Sequence, residues 1–372
     1  MAKLLMISGD RALAQGKQGA FYNTLEEFHK YWEQIDIITP PTFNFLKPKT
    51  HNLKPITYFD NVFIHPSPWP LVFQPLWILK KGQALFRENK FDLMTVHEYA
   101  PFYNGLGTRM LWGKTRLPYV LEIHHITGYP RAANLKERFY CWLTKRFIKY
   151  DSRTAQAVRI VNQNQLGKFL RAAGVPADKL IYIPSAYIDL EIFRPLNLEK
   201  KYDLIFVGRL AKNKGVDLFV EAAAKISGRS IIVGDGPLEE KLKTKSYKLK
   251  ANVVFHGWAR DSQAVARLLN QSKLLVMTSY SEGNPRVVAE AMACGVPILA
   301  TPVGIVPDLL KNGLGGEIID WRPDDIAQKA PGLLNDPNKY QGYSHDGPEI
   351  AKQFEKKEAI RNYADKLKKI LG

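Results

Sequence analysis

Two carboxylates stand where packing alone gives them no reason to be. In the run Ser281-Glu282-Gly283-Asn284-Pro285-Arg286-Val287-Val288-Ala289-Glu290, Asn284 is a good N-cap and Pro285 suits the first helical position. A helix is predicted to begin there, run through Cys294 and stop at Gly295, a natural terminator. Glu290 is the only charged residue from Val287 to Pro307, and a carboxylate on an apolar helix needs a strong partner to offset its lost hydration. Glu282 lies just before the same helix, where free backbone N–H groups and the helix dipole favour anions. Two carboxylates flanking an anion-binding helix end fit a ligand with both hydroxyls and phosphate, as in a nucleotide sugar. The alternative is a loop surface charge at Glu282 and a structural Arg or Lys beside Glu290.

Phosphate chemistry has a second foothold at Val207-Gly208-Arg209-Leu210, followed by Ala211-Lys212-Asn213-Lys214-Gly215 and a helical pattern. Ligands of open parallel sheets bind at the carboxyl ends of strands, so this turn is well placed. Arg209 can fork onto a diphosphate, and Lys214 adds a compact charge. Val233-Gly234-Asp235-Gly236-Pro237 repeats the glycine-rich strand exit. The GxxxxGK[ST] spacing of a Walker loop is absent, and no G-x-G-x-x-G opens the first half, which argues against a dinucleotide oxidoreductase.

The elements that must carry these residues alternate. Short apolar runs, read as strands, recur at residues 4–9, 35–39, 62–64, 91–96, 119–124, 158–161 and 180–183. They resume at 203–208, 230–234, 252–255, 273–278, 296–300 and 316–319. Helical patterns between them include 25–31, 216–226, 238–250 and 262–271. This is an α/β reading: two parallel-sheet, Rossmann-like units, each sheet covered on both faces. Pro184 to Pro195 breaks the rhythm and is read as the connection. The expected division is 1–195, 196–347 and an amphipathic closing helix in 348–372, where Ile350, Phe354, Ile360, Tyr363, Leu367 and Ile370 recur at helical spacing.

At 372 residues the chain exceeds one ordinary core. Its only cysteines, Cys141 and Cys294, offer neither a disulfide framework nor metal-ligand spacing, so no metal site is expected. The first apolar run is too short for a signal-peptide core and no segment reaches spanning length, which leads to the expectation of a cytoplasmic protein. The net charge of +17 is uneven: residues 1–195 hold 26 Lys/Arg against 15 Asp/Glu, the remainder 27 against 21. A basic front half suits an anionic membrane surface or a phosphorylated acceptor, or else only aids solubility. Nucleic acid ranks below these, for want of zinc-finger spacing or an aromatic RNA-binding signature. Two segments mix aromatics with cations, residues 66–77 running into Lys80-Lys81, and 136–153. Each reads either as a bilayer-contacting element, which would make the protein peripheral on the inner membrane face, or more plainly as an acceptor-cleft loop and a core-facing helix.

The segments FVGRLAKNKGVDLFVEA, IIVGDGP, FHGW and SEGNPRVVAEAMACGVPILATPVG resemble the donor-binding half of retaining, nucleotide-sugar-dependent glycosyltransferases of family 4, with the GT-B fold. Glu282 and Glu290 match the paired glutamates of that family. In the first half, Gly16 and Gly19 resemble its glycine loop, and LEIHHITG its active-site histidine segment. The resemblance implies that Arg209 and Lys214, beside Gly208, neutralise the donor diphosphate and that Glu290 accepts from the ribose hydroxyls. Glu282, with Gly283, Asn284 and Pro285, would hold the transferred sugar, and His124 would sit beside the reacting carbon. It also implies a nucleoside diphosphate sugar as co-substrate, a sugar or lipid-linked acceptor in cell-envelope polysaccharide or glycolipid synthesis, retention of configuration, and no required cofactor or metal. The chain departs from the family in the spread Gly16-Lys17-Gln18-Gly19, in a linker one residue longer, and at Ile305 and Asp308. A nucleotide-sugar 2-epimerase and a non-catalytic nucleotide-sugar-binding partner of a polysaccharide assembly are the competing readings.

Overall fold

The computed structural model describes residues 1–42 and 55–371. The apolar runs of the first half become β1 (Lys3–Ile7), β2 (Gln34–Thr39), β3 (Ile56–Tyr58), β4 (Val62–Pro66), β5 (Leu93–His97), β6 (Tyr119–Ile123), β7 (Ala157–Ile160) and β8 (Leu180–Tyr182). Their order is β3-β4-β2-β1-β5-β6-β7-β8, parallel except where β3 runs against β4. Helices α1 (Ala20–Phe28), α2 (Gln74–Asn89), α3 (Tyr103–Thr115), α4 (Leu135–Ser152) and α5 (Lys168–Ala172) accompany them.

A second, wholly parallel sheet has the order β11-β10-β9-β12-β13-β14. Its strands are β9 (Tyr202–Val207), β10 (Ser230–Val233), β11 (Val253–Gly257), β12 (Ser272–Met277), β13 (Ile298–Ala300) and β14 (Gly316–Ile318). The helices of this half are α6 (Val216–Ala223), α7 (Glu239–Lys248), α8 (Ser262–Asn270), α9 (Arg286–Ala293), α10 (Val306–Leu309), α11 (Pro323–Leu334) and α12 (Pro337–Ala351). Chain order reverses beside β1 in one sheet and beside β9 in the other, so each sheet has a switch point whose crevice opens at the strand carboxyl ends. These are two GT-B-type Rossmann-like sheets.

The last helix, α13 (Lys356–Lys368), returns to the first sheet. It buries Ile360, Tyr363 and Leu367, and Tyr363 stacks on Phe28 of α1 with ring centroids 4.7 Å apart. Each such side chain contributes about 1.5–3 kcal/mol of burial. Outgoing and returning segments run side by side: Ile188 N donates to Phe354 O at 2.8 Å, and Lys356 N to Ile188 O at 2.9 Å.

The structure adjusts several sequence expectations. Helix α9 starts one residue later than predicted, with Pro285 as its cap, because Asn284 is engaged elsewhere. Pro348–Ala351 completes α12, and a 3-10 turn at Lys352–Phe354 precedes the separate helix α13. The segment 66–77 is not all loop, since Pro75 opens α2 and Trp77 lies inside it. Trp69 and Trp77 are half-buried against each other (5.6 Å, edge-on), and the exposed apolar side chains there are Val72, Phe73 and Leu76. Helix α4 buries Thr144, Ile148 and Asp151, yet it also exposes a long aromatic and basic face that the core-facing reading does not explain.

Candidate functional site

Of the residues expected to contact a donor, Gly208, Lys214, Glu282, Asn284 and Pro285 gather at the β9/β12 switch point. Lys214 closes a 3-10 turn (Lys212–Lys214) that Gly215 ends at φ 60°, where a Cβ would overlap the Thr278 carbonyl oxygen. Thr278 Oγ1 also donates to Lys214 O at 3.0 Å, which fixes the turn to the end of β12. The Lys214 ammonium is bonded to the Glu282 carboxylate, and Ser279 Oγ donates to the same Glu282 oxygen at 2.8 Å. The two residues expected on different parts of a ligand are therefore paired with each other. Gly208, Lys214, Ser279, Glu282 and Arg286 line a cavity of about 270 Å³ here, together with Asn284 and Pro285.

Arg209 projects from the strand exit as an exposed cation. Arg286, which the sequence reading passed over, lines the cavity and has a buried Nε without a hydrogen-bond partner. Its Nη2 stands 3.4 Å from Glu290 one helical turn on, so Glu290 does have an arginine beside it. Burial nevertheless pushes the Glu290 carboxyl above its ordinary value despite Arg286. With its amide oriented by the hydrogen-bond network, Asn284 accepts from Ser185 N (2.9 Å) and Ala186 N (3.0 Å). It thus fastens the Glu282–Pro285 loop to the connection between the two sheets rather than capping α9.

On the facing side, β6 ends in Glu122-Ile123-His124-His125, a sequence whose i, i+2 spacing puts Glu122 and His124 on one face. His124 Nε2 lies 3.4 Å from Glu122 Oε2, and His124 Nδ1 lies 2.8 Å from His97 Nε2. A carboxylate only accepts, so His124 carries its proton on Nε2 and takes the His97 Nε2–H at Nδ1. Arg159 Nη1 donates to Glu122 at 3.1 Å, and its Nη2 reaches Tyr187 Oη and Pro184 O, each at 3.0 Å. Tyr363 completes the cluster by donating to the other Glu122 oxygen.

Burial alone would raise the Glu122 carboxyl, but the Arg159 charge and the His124 hydrogen bond bring it down to about 2. Burial, then the neighbouring His124, lowers His97 to about 3, and burial also lowers His124. Both imidazoles are therefore neutral near pH 7. His97, Glu122 and His124 present ligand-type atoms within 4.8 Å of one another. The Arg159 guanidinium already neutralises the carboxylate, however, and the imidazoles are bonded to each other, so this donor set suits a hydrogen-bonding role better than a cation. These groups, with Gly9, Asp10 and Tyr99, line a cavity of about 440 Å³ at the first switch point. Gly19 caps α1 at its edge, where Ala20, Phe21 and Thr24 join the lining, and no backbone approaches it closely.

The two sides touch. A Cβ on Gly283 would overlap the His124 carbonyl oxygen, so glycine is required for the Glu282–Pro285 loop to lie against the end of β6. Asn162 Nδ2 donates to Gly283 O at 2.9 Å. Gln165 receives Gly304 N at 2.7 Å and donates to Pro302 O. Asp308 accepts from Gln163 N (2.8 Å) and Asn164 N (3.2 Å) on a π-helical turn of the first half. Asn162 and Gln165 were missed in the sequence, and Asp308 stood out only as a departure from the family pattern, because ordinary polar residues carry no local signal of such a contact.

The same architecture occurs in sucrose-phosphate synthase from Thermosynechococcus elongatus (TM-score 0.80, 19% identity, 100% of this chain and 99% of that one). Anabaena HepE in complex with UDP-glucose also shares it (TM-score 0.73, 18% identity, 99% and 100%). The fold is that of the GT-B class. The family described as glycosyl transferases group 1 matches residues 189–349, and the glycosyltransferase family 4 domain matches residues 22–188. An uncharacterised glycosyltransferase of Methanocaldococcus jannaschii is 26% identical over 305 residues, 80% of this chain and 82% of that protein. The chain belongs to the GT-B glycosyltransferases of family 4.

Proposed function

We propose that this glycosyltransferase moves a hexose from a nucleoside diphosphate sugar to an acceptor hydroxyl with retention of configuration. The observation that supports the proposal is the packing of Gly283 against the His124 main-chain carbonyl, which sets the Glu282–Pro285 loop beside the end of the strand that leads to His124. In this reading residues 1–195 face the acceptor and 196–347 hold the donor. The bond from the anomeric carbon to the diphosphate breaks, the acceptor oxygen bonds to that carbon from the same face, and the departing diphosphate oxygen takes the electron pair and the proton of the acceptor hydroxyl. Arg209 and Lys214 neutralise the growing charge, and Arg286 on the cavity wall adds a further cation. Positive side chains thus do the work that a metal ion does elsewhere.

Glu290 takes the ribose hydroxyls, and the neutral His124 lies beside the sugar. The contact of the two halves excludes water and favours transfer over hydrolysis. The UDP-glucose held by the Anabaena neighbour makes that donor the first to try. The acceptor is a sugar or lipid-linked intermediate of the cell envelope, an assignment that rests on kinship.

The test is a thermal-shift screen of nucleoside diphosphate sugars, followed by product analysis with the donor found. Free nucleoside diphosphate and a glycoside of unchanged anomeric configuration are expected. A donor whose sugar is epimerised, or returned intact with every acceptor, overturns the proposal. Arg209→Ala and Lys214→Ala should each lower turnover roughly 10²-fold or more.

A further inference from the structure

Helix α4 presents one continuous outward stripe: Leu135, Arg138, Phe139, Trp142, Lys145 and Arg146 follow one another at three- and four-residue steps. Leu135 is 79% exposed, Phe139 55% and Trp142 54%, the last two stacked with centroids 5.9 Å apart. No acidic residue belongs to the stripe. Of the two on this helix, Glu137 accepts from Ala133 N at 2.7 Å and Asp151 is buried. Among the described residues, Arg138, Lys145 and Arg146 have no carboxylate partner within salt-bridge distance.

Beside the stripe, the loop that leaves His125 folds into an open pocket of about 460 Å³ lined by Gly128, Pro130, Arg131, Arg138, Trp142 and Lys145. Three cations converge there without a counter-charge. Arg131 reaches across to the donor half, its backbone N bonded to Tyr280 O at 3.3 Å and its guanidinium 5.4 and 5.3 Å from the Tyr280 and Trp321 rings.

We propose that this face docks on an anionic lipid bilayer, with Leu135, Phe139 and Trp142 entering the interface and a headgroup phosphate seated among Arg131, Arg138 and Lys145. Bulky apolar side chains alternating with cations match the two layers of a membrane interface. A soluble polyanion would use the cations and leave Leu135 and Phe139 idle. Docked this way, the cleft opens beside the lipid surface, and a lipid-borne acceptor would reach His124 without leaving the bilayer. That last step rests on the transfer reading, whereas the docking itself does not require it.

Cosedimentation of the full-length protein with phosphatidylglycerol-containing and pure phosphatidylcholine vesicles, across a salt series and without donor, separates the two. Binding to the acidic vesicles at low salt is expected, weakened on the order of tenfold or more in Arg138→Ala/Lys145→Ala. Phe139→Ser/Trp142→Ser should abolish the salt-resistant fraction. Trp142→Phe should remove the tryptophan quenching produced by brominated lipid. All four positions are exposed, and thermal melts matching wild type confirm that the variants fold. Absence of binding at low salt, or wild-type binding by both double variants, overturns the proposal. So does RNA binding through the same cations without any lipid quenching. Failure of docking alongside intact transfer to a soluble acceptor would leave the catalytic reading standing.

Discussion

The hydroxyl of Tyr363 donates to the carboxylate of Glu122, 241 residues away in the chain, and so ties the closing helix to the strand that bears His124. Arg159 lies between them, 3.1 Å from Glu122 and with its guanidinium 3.8 Å from the Tyr363 ring centroid, while also holding the linker at Pro184 and Tyr187. The first sheet, the outgoing connection and the returning helix therefore meet at one buried charge.

Removing a partner should be costly. Tyr363→Phe leaves a buried carboxylate oxygen unpaired and is expected to lower stability by about 1–3 kcal/mol. Glu122→Gln strands Arg159 and should cost more, about 3–5 kcal/mol. The sign with pH follows from Glu122 being lowered from 4.5 to about 2 in the folded state. Its contribution is present above pH 4.5 and fades as pH falls toward 2. Urea melts at pH 7 and pH 3 should show the Glu122→Gln deficit shrinking in acid; a deficit independent of pH would reject the assignment.

Legibility followed the nature of the signal. The second half was readable because its strands are unbroken apolar runs ending in Gly208, Gly234 and Thr278, and each lies within a residue or two of the observed strand end. Helix α3 is obscured by Gly105, Gly107 and Gly113, which weaken the helical pattern; of these Gly107 lets α3 pack against Pro75 and Ile78 of α2, whereas Gly105 lies against Glu98 and Asp151. The sequence singles out Glu282 and Lys214 separately as expected ligand contacts, but their pairing with each other depends on the β9 and β12 ends being adjacent. The Glu122–Arg159–Tyr363 cluster joins residues from three elements and leaves no local trace.

A buried pair of carboxylates elsewhere in the first half predicts the opposite pH behaviour. Glu98 and Asp151 both lie against Gly105, and one Glu98 oxygen and both Asp151 oxygens have no hydrogen-bond partner. Burial raises Asp151 from 3.8 to about 7 and raises Glu98 through burial and the Asp151 charge. A raised acid stabilises the fold fully below its unfolded value, and that advantage is lost as pH rises through about 7. Asp151→Asn should therefore melt higher than wild type at pH 8, and the gain should shrink at pH 5 and vanish only below the unfolded value of 3.8. An equal shift at both values would show that the pair does not titrate there.

Glu290→Gln separates a ligand contact from a structural one. Its ionic partner Arg286 is partly exposed and one turn away, so losing the pair costs at most about 1 kcal/mol. The melting temperature should hardly move while donor affinity, read by calorimetry, falls. Unchanged affinity with a large drop in melting temperature would assign Glu290 to the fold.

Gly283→Ala tests the contact on which the functional reading rests. The added methyl would overlap the His124 carbonyl oxygen and approach the His125 side chain at 3.1 Å, so the donor loop must withdraw from the end of β6. Asn162 would then lose its bond to Gly283 O, and the close packing of Gly304 on that carbonyl would loosen. Lys214, Ser279 and Glu282 keep their mutual bonds, because none of these depends on the β6 contact. Binding of free nucleoside diphosphate should thus survive while sugar transfer drops by roughly 10²-fold, the scale of an ångström-sized misplacement of reacting groups. Parallel titration with nucleoside diphosphate and single-turnover transfer assays distinguish the two effects. Wild-type transfer by a folded Gly283→Ala protein would mean that His124 and the Glu282 loop need not meet for the reaction, and the proposed catalytic cleft would have to be redrawn.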